Sequence, residues 1–418
     1  MASTPMIVRA EIASRSVAGV PLSVFIGTFL IMVLDGFDVQ LIGFAAPALI
    51  AEFGIERSAL GPALAASVLG MSIGAVAIGP VGDAFGRRPA LLLSAALFGA
   101  MTLLTATATS VDMLTLWRFL TGIGLGAALP GAVALMAEFT PARHRSQLVV
   151  MSLLGVPVGG ILGSALAAEI IPAFGWPAIF VVGGALPILA AAVLFFVLPE
   201  SPGFLARTPN AGEGGLRAVF ARAHAGDAVV LMIAFFCSLF AAYAFFSWVP
   251  VVLTSLSFPL DQAVRSALVF NLAGVGGALL NAWLISRIGS LLPLAAVAGV
   301  AVVSLITLAG MTLGADAEPG ALATFAIIAA AGFGIHSLQT GLYLVSAHVF
   351  PTECRTSGVG FASGAGRLGG IASSLTGGAL LTGAGAAGFF GSVALALVLA
   401  VVCVLTLRRH IPVQVGRD

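Results

Sequence analysis

Lysine is absent, and charge of either sign is scarce: arginine supplies all 18 basic residues, Asp and Glu together number 17, and charged residues make up only 8% of the chain. A water-soluble domain carries about a quarter charged residues, so an aqueous globular protein is excluded. The formal net charge of +1 excludes a basic nucleic-acid surface and a broad acidic face. Three cysteines, Cys237, Cys354 and Cys403, lie in or beside apolar stretches and are too few for a disulfide framework or a thiolate zinc cluster. A membrane-embedded enzyme is not expected, since no span is expected to hold an HExxH, Gly-x-Ser-x-Gly or Cys/His grouping. The short tail after Leu407 leaves no room for the output domain expected of a sensor.

Apolar residues, by contrast, are 60% of the 418 and the mean hydropathy is +1.13. At about 20 residues per crossing, the roughly 250 apolar residues suffice for about twelve spans. Runs between polar breaks place these near 20–48, 58–80, 90–109, 113–136, 147–171 and 177–198, then 228–254, 265–285, 291–313, 320–346, 357–382 and 388–407. The first run is long enough to span rather than to be cleaved as a signal. The segment 199–227, with Arg207, Glu213, Arg217 and Arg222, is the one long polar interruption and reads as a cytoplasmic linker between bundles 1–198 and 228–418. With the N-terminus in the cytoplasm, 14 of the 18 arginines fall on that side. Only Arg57 and Arg265 are left outside, with Arg118 and Arg367 inside spans, so the positive-inside rule puts both termini in the cytoplasm.

The halves echo each other. Asp83-Ala84-Phe85-Gly86 after the second span returns as Ser286-Arg287-Ile288-Gly289 after the eighth, 203 positions on, and Pro141–Arg145 returns as Pro351–Arg355, 210 positions on. Two landmarks at nearly one offset imply a duplicated six-helix unit. The expected fold is therefore all-α, with 12 transmembrane helices in two six-helix bundles. Parallel repeats of this kind are one architecture of secondary transporters, which bind substrate near mid-membrane.

Ionisable residues within spans cost roughly 2.5–3.5 kcal/mol each on insertion scales, so each needs a partner, a wet cavity or a function. Asp35 and Asp38, three apart in the first span, share a face and are expected to look onto one cavity, where they serve as candidates for proton coupling. Arg118 in the fourth span is expected to pair with one of them or with a substrate carboxylate, which its planar fork suits. His336, Gln339 and Tyr343 recur at i, i+3 and i+7 on one stripe of the tenth span and offer donors and acceptors to a carboxylate or phenol. Arg367 is a second candidate anchor. Asn271, Tyr243, Trp248 and Phe37 are candidates for the cavity wall, the aromatic ones by stacking. For each of these the competing reading is structural: fixed ion pairs, interhelical hydrogen bonds worth under about 2 kcal/mol, or plain packing.

The run Gly79-Pro80-Val81-Gly82-Asp83-Ala84-Phe85-Gly86-Arg87-Arg88 resembles the signature loop of the major facilitator superfamily at Gly79, Asp83, Gly86, Arg87 and Arg88 and departs from it at Ala84. Arg118 with Gly122 resembles that superfamily's fourth-helix motif. Within it, Leu34-Asp35-Gly36-Phe37-Asp38, Leu198-Pro199-Glu200-Ser201-Pro202 and Phe350-Pro351-Thr352-Glu353-Cys354-Arg355 resemble the aromatic acid:proton symporters.

The resemblance implies import of a benzoate- or hydroxybenzoate-like anion with protons, by alternating access. Such a protein is a monomer in a bacterial inner membrane, with no enzymatic activity, no nucleic-acid partner, and no cofactor or metal beyond the proton gradient. Gly79, Asp83, Gly86, Arg87, Arg88, Glu138, Arg145, Glu353 and Arg355 are expected to form its cytoplasmic gate. The alternatives are a symporter of another organic acid or sugar-like solute and a drug/proton antiporter.

Overall fold

The computed structural model describes residues 16–17, 19–77, 85–141, 144–201, 225–313, 320–350 and 355–413. Among these the strands are a short antiparallel pair, β1 (Ser16–Val17) and β2 (Val20–Pro21). The helices are α1 (Leu22–Phe53), α2 (Gly61–Ala77), α3 (Arg87–Thr105), α4 (Val111–Phe139), α5 (Arg145–Leu153), α6 (Gly155–Phe174) and α7 (Trp176–Val197). They continue as α8 (Ala225–Ser255), α9 (Leu260–Ile288), α10 (Leu291–Met311), α11 (Ala321–Val349) and α12 (Arg355–Thr406). An apolar segment in hydrocarbon has no water for its peptide groups, and a helix satisfies them within the segment.

Eleven helices among the described residues are long and apolar enough to cross a membrane, α5 and α6 counting together from Leu148 to Phe174. The span expected over 147–171 is interrupted at Leu154, since Pro157 has no N–H for the carbonyl four residues back and a fresh helix starts at Gly155. The last element, α12, has 52 residues. At 1.5 Å per residue it would be about 78 Å long if straight, more than twice a hydrocarbon core of about 30 Å. Gly385 breaks it with φ 66° and ψ −171°, in the gap between the runs 357–382 and 388–407. The α4 start is built by Ser110, whose hydroxyl oxygen accepts the Met113 N–H at 3.2 Å, with Asp112 in the first turn.

Packing divides the chain into two compact units: Met1–Leu41, Ala66–Leu166 and Ile170–Pro209 form the first, and Ile42–Ala65, Ala167–Glu169 and Asn210–Asp418 the second. The C-terminal part of α1 and the start of α2 thus group with the second unit, whereas the sequence reading kept all of 1–198 together. Of the linker 199–227, residues 202–224 lie outside the described residues, and α8 starts at Ala225.

In the first unit, backbone-to-backbone seams fix the helices. A Cβ on Gly122 of α4 would sit 2.2 Å from the Ser67 carbonyl oxygen of α2, and one on Gly36 of α1 would sit 2.0 Å from the Val156 carbonyl oxygen of α6. Small residues let helices approach where hydrophobicity gives no drive between them. The core beside these seams includes Ile31, Leu34, Met71, Phe98, Leu125 and Leu135. In the second unit α8 is buried along most of its length, and Trp248 donates its indole N–H to the Ser374 carbonyl of α12 at 3.2 Å. Outward faces are apolar instead of polar: Leu322 is 87% exposed and Phe196 68%.

Gly122→Val is expected to abolish the monodisperse peak of detergent-solubilised protein in size-exclusion chromatography. Gly131→Ala on the same helix, where the added Cβ meets Leu91 at an ordinary 3.6 Å, is expected to leave that peak intact.

Candidate functional site

Gly36 and Asp38 lie two residues apart on α1, hence on roughly opposite sides of it. With Gly36 pressed to α6, Asp38 turns toward α3 and α4. There Arg118 Nη1 donates to Asp38 Oδ1 at 3.1 Å and Arg118 Nη2 donates to Thr102 Oγ1 at 3.0 Å. The Thr102 hydroxyl donates in turn to Asp38 Oδ2, closing a triangle. The Phe180 ring of α7 lies 5.4 Å from the guanidinium carbon, a cation–π contact on the open side of the fork. Asp38 is 0% exposed and Arg118 1%. Removing one member of a buried pair strands the other charge and costs about 3–5 kcal/mol.

The sequence reading paired Arg118 with a first-span acid, and the structure joins it to Asp38. The expectation that Asp35 and Asp38 look onto a wet cavity needs correction: Asp35 is 2% exposed and Asp38 is sealed among α1, α3 and α4. Phe37 is likewise buried, its ring lying over Gly183 of α7. Thr102 was missed. Its signal was a hydroxyl in an otherwise apolar stretch of the third span, which composition alone does not separate from Thr105, a residue that bonds its own helix at Met101.

The second unit holds a separate cluster. His336 of α11 lies 5.1 Å from the Phe270 ring of α9 and 6.1 Å from the Phe246 ring of α8. Phe245 stacks on Phe270 at 4.5 Å, and Tyr243 meets Phe246 edge-on at 5.8 Å. Gly274 makes room for the imidazole, because a Cβ there would fall 2.3 Å from it. His336 is buried, and its Nε2 has no hydrogen-bond partner among the described residues.

One turn and more along the same stripe, Gln339 is half-buried, and Tyr343 meets Phe235 at 5.0 Å within electrostatic reach of Arg367. An imidazole nitrogen ringed by aromatic faces suits a planar ring bearing a hydroxyl or carboxylate. Two expected wall residues serve packing instead. Trp248 is 0% exposed in the α8–α12 seam, and Asn271, also 0% exposed, donates to the Ala267 carbonyl one turn back at 2.8 Å. A cavity of about 340 Å³, lined by Arg57, Pro47, Ile50, Val251, Thr254 and Leu260 among others, contains none of the expected site residues.

At the ends of α3, α4 and α7 an ionic network ties the first unit together. Arg87 Nε lies 3.5 Å from Glu138 Oε1, and the Ser201 hydroxyl donates to Glu138. Glu200 Oε1 accepts the backbone N–H of Arg88 at 3.1 Å and that of Ser201 at 2.9 Å, a carboxylate at the N-terminus of α3 where the helix dipole favours it. Gly86, at φ 111°, lets Glu200 in: a Cβ there would sit 2.4 Å from the carboxylate. The Arg88 guanidinium lies over the Phe195 ring at 5.1 Å and also donates to the Phe195 carbonyl. Glu200 is not among the expected gate residues, although it lies in the Leu198-Pro199-Glu200-Ser201-Pro202 motif. Gly79, Asp83 and Glu353 lie outside the described residues, and Arg145 and Arg355 open α5 and α12 with side chains that are not described.

Gly70-Met71-Ser72-Ile73-Gly74 has the spacing of a hydrolase nucleophile elbow, but it lies inside α2. Ser72 donates to the Val68 carbonyl one turn back at 3.0 Å, and the strand-to-helix turn that such a nucleophile requires is missing there.

Residues 28–337 match the Major Facilitator Superfamily model. The chain is 34% identical over 388 residues to the 4-hydroxybenzoate transporter PcaK of Acinetobacter baylyi, covering 84% of this chain and 83% of that protein. It is 32% identical over 410 residues to a gallate transporter of Pseudomonas putida, covering 90% and 89% of the two. A D-xylose–proton symporter crystal structure superposes with a TM-score of 0.73 at 19% identity, over 94% of this chain and 98% of that one. With its duplicated loops, its membrane helices and this match over most of its length, the chain belongs to the Major Facilitator Superfamily.

Proposed function

We propose that this protein imports a benzoate- or hydroxybenzoate-like carboxylate together with protons, by alternating access. The observation that carries the reading is the Asp38–Arg118–Thr102 triangle, a charge-neutral unit out of contact with water. A proton arriving on Asp38 removes its charge and leaves Arg118 cationic, so an incoming carboxylate restores neutrality at the guanidinium. Proton and anion load together because either alone leaves an uncompensated charge in a medium where that is expensive. The names of the hydroxybenzoate and gallate relatives support an aromatic acid as the anion.

Within the second unit, His336 with Phe246 and Phe270 offers an aromatic ring its own stacking and hydrogen-bond contacts, with Gln339, Tyr343 and Arg367 as further polar candidates there; within the first unit, Asp35 assists proton entry. Arg87, Arg88 and Glu138 form a rim that closes and opens, with Glu200 as its pivot; Asp83, Arg145, Glu353 and Arg355 complete it. The twelve crossings are the eleven membrane-capable helices with α12 divided at Gly385, both ends lying in the cytoplasm and the linker at 199–227 joining two six-helix bundles. The carrier works as a monomer without a cofactor, driven by the proton gradient.

In proteoliposomes with an acidic exterior, 4-hydroxybenzoate is expected to accumulate, and benzoate to compete for uptake. Asp38→Asn is expected to cut gradient-driven accumulation at least tenfold while counterflow exchange survives; accumulation at the wild-type level would refute the coupling role. Thr102→Val leaves one carboxylate oxygen without its donor, at about 1–3 kcal/mol. It is expected to lower the melting temperature of the purified protein, and Thr102→Ser to restore it.

A further inference from the structure

The signature-loop copy in the second half, Ser286-Arg287-Ile288-Gly289, has so far no role. Gly289 adopts φ 78°, and a Cβ there would lie 2.8 Å from the Ile411 carbonyl oxygen. The segment after α12 therefore runs directly over this loop. The Ser290 N–H donates to the Ile411 carbonyl at 3.0 Å, and the Ile411 N–H donates to Ser290 Oγ at 2.9 Å. The Arg408 N–H donates to Asp227 Oδ1 at 2.9 Å, and Arg409 Nε lies 3.8 Å from Asp227 Oδ2. Asp227 is only 6% exposed although it sits in the first turn of α8. Residues 408–413 thus bind the start of α8, the α9–α10 junction and the end of α12.

This matches the first half in kind. There the loop glycine, Gly86, admits Glu200 from the segment after α7, and Glu200 belongs to the rim network. Here the equivalent glycine, Gly289, admits the segment after α12. His410 sits at the centre of the contact. Its Nε2 is 3.0 Å from the Val404 carbonyl, which can only accept, so Nε2 carries the hydrogen. Its Nδ1, 3.0 Å from Ser290 Oγ, then accepts from the serine hydroxyl, whose oxygen already takes the Ile411 N–H. This chain of bonds is complete only for neutral imidazole.

We propose that Arg408–Val413 is a strap that latches this end of the second unit and is released by protonation of His410, slowing or freeing transport according to the pH on that face. A second proton on Nδ1 would turn a donor against Ser290 Oγ and add charge beside Arg408 and Arg409. The one acid facing the strap among the described residues, Asp227, is already engaged by both of those residues. Arg287 at the end of α9 is turned onto Trp283, with its guanidinium 5.8 Å from that ring, and α10 and α12 present the uncharged Ser290 and Val404.

Burial is the largest influence on His410 and lowers its pKa from the ordinary value, against smaller opposing effects of the Val404 hydrogen bond and the Asp227 charge. The docked strap accordingly holds fewer protons than the free one. Docking is at full strength above the free-histidine pKa of about 6.5 and weakens as pH falls below it, by at most about tenfold per pH unit.

The part of this proposal that concerns transport rate rests on the import reading, whereas the latch itself does not, and the two are measured separately. Hydrogen–deuterium exchange of the full-length protein in nanodiscs, corrected for intrinsic rates, reports the Ser290 and Ile411 amides. Protection is expected to drop between pH 7.5 and 5.5 in the wild type, by up to about tenfold. In His410→Gln it should be independent of pH, and in Asp227→Asn low at both values. Equal wild-type protection at the two pH values, or a drop that persists in His410→Gln, overturns the latch whatever the substrate is. With the latch established, 4-hydroxybenzoate counterflow in proteoliposomes is expected to change with the pH bathing the strap in the wild type and not in His410→Gln. An identical pH response in both overturns the regulatory role alone.

Discussion

A charge inside hydrocarbon must bring its own counter-charge and its own hydrogen bonds, and the first unit is arranged around one place where that requirement is met. Arg118 and Asp38 come from helices 80 positions apart in sequence and meet with Thr102 in a closed triangle. The geometry works because the same helices are cut back to glycine where they meet α6 and α2. Gly36 lets α1 lie against α6, and Gly122, four residues beyond Arg118, lets α4 lie against α2. The Ser67 hydroxyl bonds the Arg118 carbonyl at 3.1 Å, so the backbone under the arginine is held as well as its side chain. The glycine seams and the ion pair are one construction: the seams set the depth and rotation that let the pair close.

Such a pair is neutral as a whole and cannot lose one charge cheaply. This makes it a poor source of net stability, because well-packed apolar residues would do as well or better. In the import cycle proposed above, the same neutrality favours coupling, because exchanging Asp38's charge for that of a bound carboxylate would leave the local sum unchanged. Phe180 beneath the guanidinium and the lack of exposure at both residues mean that no water substitutes for either partner in this conformation. The second unit has an aromatic cluster around the His336 imidazole, a chemistry suited to shape and hydrogen bonding.

Most of the span positions and the Arg118–acid pairing were legible in the chain because each rests on one-dimensional evidence: run length and the cost of intramembrane charge. Which acid Arg118 would meet was not legible, because Asp35 and Asp38 share a face of α1 and only the rotation fixed by Gly36 separates their surroundings. Trp248 and Asn271 read as polar wall residues, yet Trp248 bonds the Ser374 carbonyl across a helix seam and Asn271 the Ala267 carbonyl on its own helix. A polar atom on an apolar helix can turn to a backbone carbonyl or to a cavity, and sequence does not record which. Glu200 went unassigned for a related reason: its partner is a backbone N–H at the start of α3, more than a hundred residues away and without a side-chain signature.

The duplicated loops share a packing arrangement that is built from different atoms in each copy. The first copy keeps Arg87 and Arg88 and receives a carboxylate, Glu200; the second has Ser286 where the first has Asp83, and receives a backbone carbonyl from Ile411. What survives in both is a glycine at positive φ, Gly86 and Gly289, each with a later segment packed where a side chain would stand. The first cap acts through the Glu200 carboxylate, which accepts the Arg88 N–H. The second cap acts through Ser290 and a histidine, whose proton affinity lies near the working pH of a cell. Under the proposed latch, the second loop is the one whose strength the medium can alter.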